Sequence, residues 1–157
     1  MIILECYADE HLVRALGATS KGIKHAFSKG EVCNLLRKSV DTVGIIDEDP
    51  GAGKPEYERR LLNNRILEND KIIVCEDRKL RNRLILIRPK LENFVIKLAE
   101  ENKIEVSDFN LSPDPGKLHD ELAFKRNLQK LNSFEKLIAE LERVEDTIPS
   151  IKKFIGL

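Results

Sequence analysis

The feature that most constrains this chain is a pattern that recurs along it: a short apolar run stops at acids, and a turn or a helical pattern follows. In Thr42-Val43-Gly44-Ile45-Ile46 the run meets Asp47-Glu48-Asp49, and Pro50-Gly51 breaks the chain. An apolar run bounded by turn residues reads as a strand buried on both faces. Met1 to Leu4 ends the same way at Glu5, Lys71 to Cys75 ends at Glu76 and Asp77, and Leu84 to Ile87 is closed by Pro89. A further short strand fits Ile23 to Phe27. Helical patterns fill the gaps at Ala8 to Gly17, Glu31 to Ser39, Glu56 to Asn64 and Leu91 to Glu101. This alternation predicts an α/β fold: a mostly parallel, Rossmann-like sheet with helices on both faces.

The character changes after Ser107. Asp108 to Gly116 holds two prolines and reads as a loop. Beyond it, Phe134, Leu137, Ile138, Leu141 and Val144 lie on one helical face, Pro149 ends that helix, and a last short one spans Ser150 to Phe154. The division expected is an α/β core over 1–107 and a C-terminal helical extension over 108–157. The extension is expected to pack on the sheet or on a second subunit, so a homodimer or a protein partner is open.

Composition narrows the function classes. Lys+Arg and Asp+Glu both number 27, so the net charge is zero and no overall field favours nucleic acid. Cys6, Cys33 and Cys75 form no Cys-x-x-Cys pair, which suggests free thiols in a reducing compartment. No apolar stretch reaches membrane-spanning length, so neither a span nor a signal peptide is expected and the cytoplasm is the expected location.

Two motifs compete for the chemistry. Gly51-Ala52-Gly53-Lys54-Pro55 suggests a phosphate loop, but the pattern needs Gly where Glu48 stands and Ser or Thr where Pro55 stands. The acids at strand ends are the stronger constellation. Asp47 and Asp49 point the same way if the backbone stays extended. First and third strands are commonly neighbours in a doubly wound sheet, which brings Glu5 to the same rim. Carboxylates gathered there suit a hard cation, Mg²⁺ or Mn²⁺, able to polarise a phosphodiester and acidify a bound water. The bases Arg78, Lys79, Arg81 and Arg83 are candidates to hold a nucleic-acid backbone near these acids, against the plainer reading of a solvated loop. His11, His25 and His119 are scattered and read as surface or capping residues.

Leu4-Glu5-Cys6-Tyr7-Ala8-Asp9-Glu10 resembles the opening of Toprim domains, in which a strand ends in Glu and an Asp follows four residues later. Thr42 to Asp49 is similar to the Toprim strand that ends in Asp-x-Asp, and Lys29-Gly30 also resembles Toprim-like proteins, including overcoming-lysogenisation-type nucleases. The resemblance covers roughly residues 1 to 100. It implies Mg²⁺-dependent phosphodiester chemistry on nucleic acid, in phage defence or repair. It gives Glu5 the role of general acid/base and makes Asp47 and Asp49 metal ligands. Asp9 is a supporting acid, and Glu92, in Leu91-Glu92, a further one. Cys6, Tyr7 and Ala8 depart from the small and polar residues usual there. That favours the alternative, a non-catalytic Toprim-like module binding a protein partner. A second resemblance, to response-regulator receiver domains, rests on Gly30 to Leu36 and the run into Asp47 as phosphoacceptor. It lacks paired acids after the first strand, and Pro89-Lys90 reverses the receiver order.

Overall fold

The structure, a computed structural model, describes residues 1–123 and 128–157. The first part runs β1 (Ile2–Leu4), α1 (Tyr7–Ala15), β2 (Ile23–His25), α2 (Lys29–Leu36), β3 (Val43–Asp47) and α3 (Glu56–Leu61). Then come β4 (Arg65–Glu68), β5 (Ile72–Asp77), β6 (Asn82–Ile87), α4 (Leu91–Glu101), α5 (Pro115–Leu122), α6 (Leu128–Val144) and α7 (Thr147–Phe154). One six-stranded sheet has the order β2-β1-β3-β6-β5-β4. The first four strands in that order are parallel, and β5 and β4 are each antiparallel to their neighbour. The fold is α/β with helices on both sides of a mostly parallel sheet and helices at the C-terminal end.

The apolar runs are continuous because the sheet is covered twice. Period-two alternation sends Ile2, Leu4, Ile45, Ile72, Val74, Ile85 and Ile87 into one core. Ile3, Ile46, Ile73, Cys75, Leu84 and Leu86 enter the other. The first core is capped by α1, α4 and the tail helices, through Leu12, Phe94, Phe134 and Leu141 among others. The second is capped by α2 and α3, through Val32, Leu36, Tyr57 and Leu61. The tail therefore shares a core with the sheet rather than forming its own. Gly44 permits the close approach of α2: a Cβ there would meet Val32, Leu36 and Leu84 at 3.1–3.2 Å.

Three features differ from the expectation. Pro149 does not end α6, which stops at Val144, but stands in the first turn of α7. Arg65–Glu68 forms an edge strand that no apolar run announces, since three of its four residues are exposed. The segment 108–116 is not all loop. Asp114 caps α5, its Oδ1 accepting the Lys117 N–H at 2.9 Å, with Pro115 in the first turn.

Buried Asn82 ties the sheet together at its other rim. Its Nδ2 donates to the carbonyls of Leu36 (2.7 Å) and Ser39 (2.8 Å), and its Oδ1 accepts the Thr42 N–H at 2.9 Å. Cys33 and Cys75 are free and buried, and burial pushes both thiols up to about 11. Among the described residues no helix is long and apolar enough to cross a membrane.

Candidate functional site

β1 and β3 are adjacent, with Leu4 opposite Ile45, so Glu5 leaves the sheet beside the end of β3. β6 ends on the same rim, with Ile87 opposite Asp47, and the chain turns there into α4. Asp47 Oδ1 accepts the Leu91 N–H at 2.9 Å, which docks the first turn of α4, and Glu92 with it, against the end of β3. The N-terminus of a helix favours such a carboxylate.

Four acids act on one another here. Burial, then the charges of Glu92 and Glu5, push the Asp47 carboxyl up to about 7. Asp9 is 1% exposed, and burial followed by the charge of Asp47 holds its carboxyl well above the usual range, with Glu5 adding to the effect. Its Oδ2 accepts the Cys6 N–H (3.0 Å) and Sγ–H (3.3 Å), closing the first turn of α1. Among the described residues, Asp9 Oδ1 and Glu5 Oε2 are buried with no hydrogen-bond partner. Orphaned carboxylate oxygens are costly unless a ligand or proton completes them. All the donors are oxygens, the chemistry of Mg²⁺ and Mn²⁺ sites. Among the described residues, however, no three His, Cys, Asp or Glu side chains are arranged to hold a metal ion as they stand.

Asp49 behaves differently from Asp47. β3 stops at Asp47, and Asp49 takes a left-handed φ of 39°. The alternation expected of extended backbone is therefore broken. Asp49 lies 3.8 Å from Lys90 Nζ. Glu48 between them is gripped by Arg88, with Nε and Nη2 each donating at 3.0 Å. Two of the three consecutive acids are thus neutralised by bases, and Asp47 is the one that joins Glu5, Asp9 and Glu92.

The basic run requires a correction. β6 runs parallel to β3, with Arg83 opposite Val43 and Ile87 opposite Asp47, so Arg83 sits four residue steps, roughly 13 Å, from the acid rim. Arg78, Lys79 and Arg81, in the β5–β6 turn, lie further off still. Arg81 is paired with Asp41, Arg78 lies near Glu76, and Arg83 donates to the Phe154 carbonyl. They cannot hold a phosphate backbone beside the acids as expected.

Sequence reasoning passed over His119. α5 brings its Nδ1 to 2.8 Å from Glu92 Oε1. The ring borders both a groove of ≈ 650 Å³, lined also by Asp47, Lys90, Glu92 and Lys117, and a smaller one of ≈ 210 Å³ that contains Glu5. The signal available was Asp114-Pro115, a helix start that places His119 one turn in. The burial of Lys29, only 8% exposed, is also unforeseen. Its Nζ donates to the Glu48 carbonyl at 2.7 Å and lies 3.7 Å from fully buried Glu58. It anchors the chain just past Asp47.

No family model matches the chain, and comparison with curated proteins and with solved structures finds no match.

Proposed function

We propose that the chain is a Toprim-like, divalent-cation-dependent enzyme of phosphodiester chemistry on nucleic acid, its site at the rim formed by Glu5, Asp9, Asp47 and Glu92. The observation that carries this reading is the pair of orphaned, buried oxygens, Glu5 Oε2 and Asp9 Oδ1, beside Asp47. Buried polar atoms left without partners are a cost that a functional ligand relieves. The order of strands supports it as well, since open α/β sheets bind ligands at the carboxyl ends of parallel strands.

Mg²⁺ or Mn²⁺ bound there would polarise the phosphodiester and acidify a water. Asp47, Glu92 and Glu5 would hold it. Asp47 keeps one oxygen on the Leu91 N–H and offers the other. Asp9 keeps Cys6 in place and lends Oδ1 to the cluster. His119, held by Glu92 at Nδ1, lines the groove and would move a proton to or from a leaving oxygen there. Lys90 and Lys117 on the groove wall supply positive charge for a phosphate.

The test is metal-dependent nicking of plasmid DNA and cleavage of RNA by the wild type and by Asp47→Asn. Cation-dependent cleavage, abolished in the variant, is expected. Intact DNA and RNA with both Mg²⁺ and Mn²⁺ would overturn the enzyme reading.

Two observations favour a second reading. The acids are not pre-arranged around a metal among the described residues, and Cys6, Tyr7 and Ala8 put side chains where a close phosphate would pass. A Toprim-like module that binds a protein partner without catalysis fits both facts. A receiver-like module fits less well, because the antiparallel β4–β5 edge departs from the parallel 2-1-3-4-5 order. Exposure to a small phosphodonor, followed by mass measurement, tests it.

A further inference from the structure

Beside Glu5 stands a group of three rings that the core does not use. The His25 ring stacks on Phe27 at 5.6 Å between centroids and 23° between planes. Tyr7 lies 4.7 Å from His25 and 6.3 Å, edge-on, from Phe27. His25 is fixed from behind, its Nε2 2.6 Å from Glu10 Oε2. Phe27 is 69% exposed, and its φ is 59°. A bulky residue in the left-handed region is an outlier, and Gly or Asn would fill this turn at lower cost. An aromatic ring held in water by an unfavourable backbone is therefore a feature to explain by use rather than by packing.

Tyr7 and Phe27 border the ≈ 210 Å³ groove, whose wall also includes Glu5, Cys6 and His119, and His25 backs Phe27 from outside it. Anything planar stacked on Phe27 or Tyr7 is thus adjacent to the acid rim. Of the described cations near the rim, Lys29, Arg88 and Lys90 lie against Glu58, Glu48 and Asp49, and the arginine-rich turn lies at the opposite one. Recognition by neutralising a run of phosphates is unsupported by this charge distribution, whereas stacking needs no net charge.

We propose that Phe27, Tyr7 and His25 form a stacking platform for a nucleobase whose attached phosphate lies over the acid rim. The ligand is an unpaired nucleotide, at the end of a single strand or free; a base inside a duplex does not expose its face. This inference rests on the phosphodiester reading and names its substrate class.

The experiment measures binding of a fluorescein-labelled, 5′-phosphorylated oligothymidylate by anisotropy, with Ca²⁺ replacing Mg²⁺ to prevent turnover. Phe27→Ala is expected to weaken binding about five- to a hundredfold, and Phe27→Trp to restore it. A strand with an abasic terminal nucleotide should bind the wild type as weakly as the intact strand binds Phe27→Ala. Competition by thymidine 5′-monophosphate separates the sources: displacement at equal concentration assigns a free nucleotide, and a much higher requirement assigns a strand end. Unchanged affinity in Phe27→Ala, no preference for the base over the abasic site, or no binding by the wild type each overturns the platform. Mn²⁺ titration of the same samples is the control for the underlying reading. A Phe27→Ala protein that binds Mn²⁺ and cleaves normally, with unchanged strand affinity, sinks the platform alone. A wild type that takes the strand by stacking but binds no Mn²⁺ keeps the platform and sinks the metal chemistry.

Discussion

Asp47 Oδ1 accepts the backbone N–H of Leu91 at 2.9 Å, joining the last residue of β3 to the first of α4. One side chain thereby closes the turn after β6 and brings Glu92 against the end of β3. The rim is a consequence of that bond: removing the oxygen loosens the helix, whereas removing only the charge leaves the geometry intact. Asp47→Asn is therefore the informative substitution, since its amide oxygen still accepts the Leu91 N–H.

The first prediction concerns pH. Burial and neighbouring acids push Asp47 up to about 7, and Asp9 is shifted in the same direction. A carboxyl raised above its unfolded value stabilises the fold below that value, and the contribution is lost as pH rises through the folded value. The unfolding free energy of cation-free protein, from urea denaturation, should thus fall between pH 5 and pH 8, by about 3 kcal/mol from Asp47 alone. Asp47→Asn should flatten that dependence and be the more stable protein at pH 8.

The second prediction separates the two aspartates. In cleavage assays Asp47→Asn should lose about a hundredfold or more in kcat/KM, as expected for a group acting on a bound cation. Asp49→Asn should lose less than about tenfold, because its carboxylate faces Lys90 on the turn. Equal losses would mean that the turn rearranges to bring Asp49 into the cluster.

The third concerns the buried pair behind the site. Glu58 is fully buried, and Lys29 Nζ at 3.7 Å is the cation beside it. Lys29→Met strands that carboxylate and should destabilise the protein by about 3–5 kcal/mol at neutral pH. Adding Glu58→Gln to Lys29→Met should recover part of the loss. Urea denaturation of both variants checks this.

The fourth is structural. Asn82 Nδ2 and Oδ1 bond three backbone groups at the end of α2 and in the turn that leads from it into β3. Asn82→Ala removes all three bonds, leaving the Leu36 carbonyl only the Ser39 N–H, and should cost about 2–4 kcal/mol. Asn82→Asp keeps the acceptor but loses the donors and should not rescue it. Denaturation midpoints and amide exchange at Thr42 report the effect.

Much of this architecture was legible in the chain. Ile2 to Leu4, Val43 to Ile46 and Leu84 to Ile87 are unbroken apolar runs because both faces of the sheet are covered, and Leu91 to Glu101 shows the apolar spacing of a helix with one buried face. The edge strand Arg65–Glu68 was not legible, since its side chains face solvent and carry no alternation. The antiparallel direction of β5 was hidden for another reason: a buried strand reads alike in either direction, and only the tight turn at 78–81 decides it. That turn also places the arginines at the far rim. Within the site, Glu5 and Asp47 follow from strand ends, but the turn of Asp49 depends on a left-handed residue, and Asp does not announce one as Gly does. His119 reaches Glu92 through tertiary packing across 27 residues of sequence, which no local pattern encodes.

The central claim is that Glu5, Asp9, Asp47 and Glu92 form a divalent-cation site. Its most direct measurement is Mn²⁺ binding at pH 8, followed by electron paramagnetic resonance, for the wild type and for Asp47→Asn. Saturable binding of one ion by the wild type, weakened at least tenfold in the variant and weakened again as the pH falls to 5, is the result predicted. Absence of saturable binding by folded wild type, or equal binding by the variant, would contradict it.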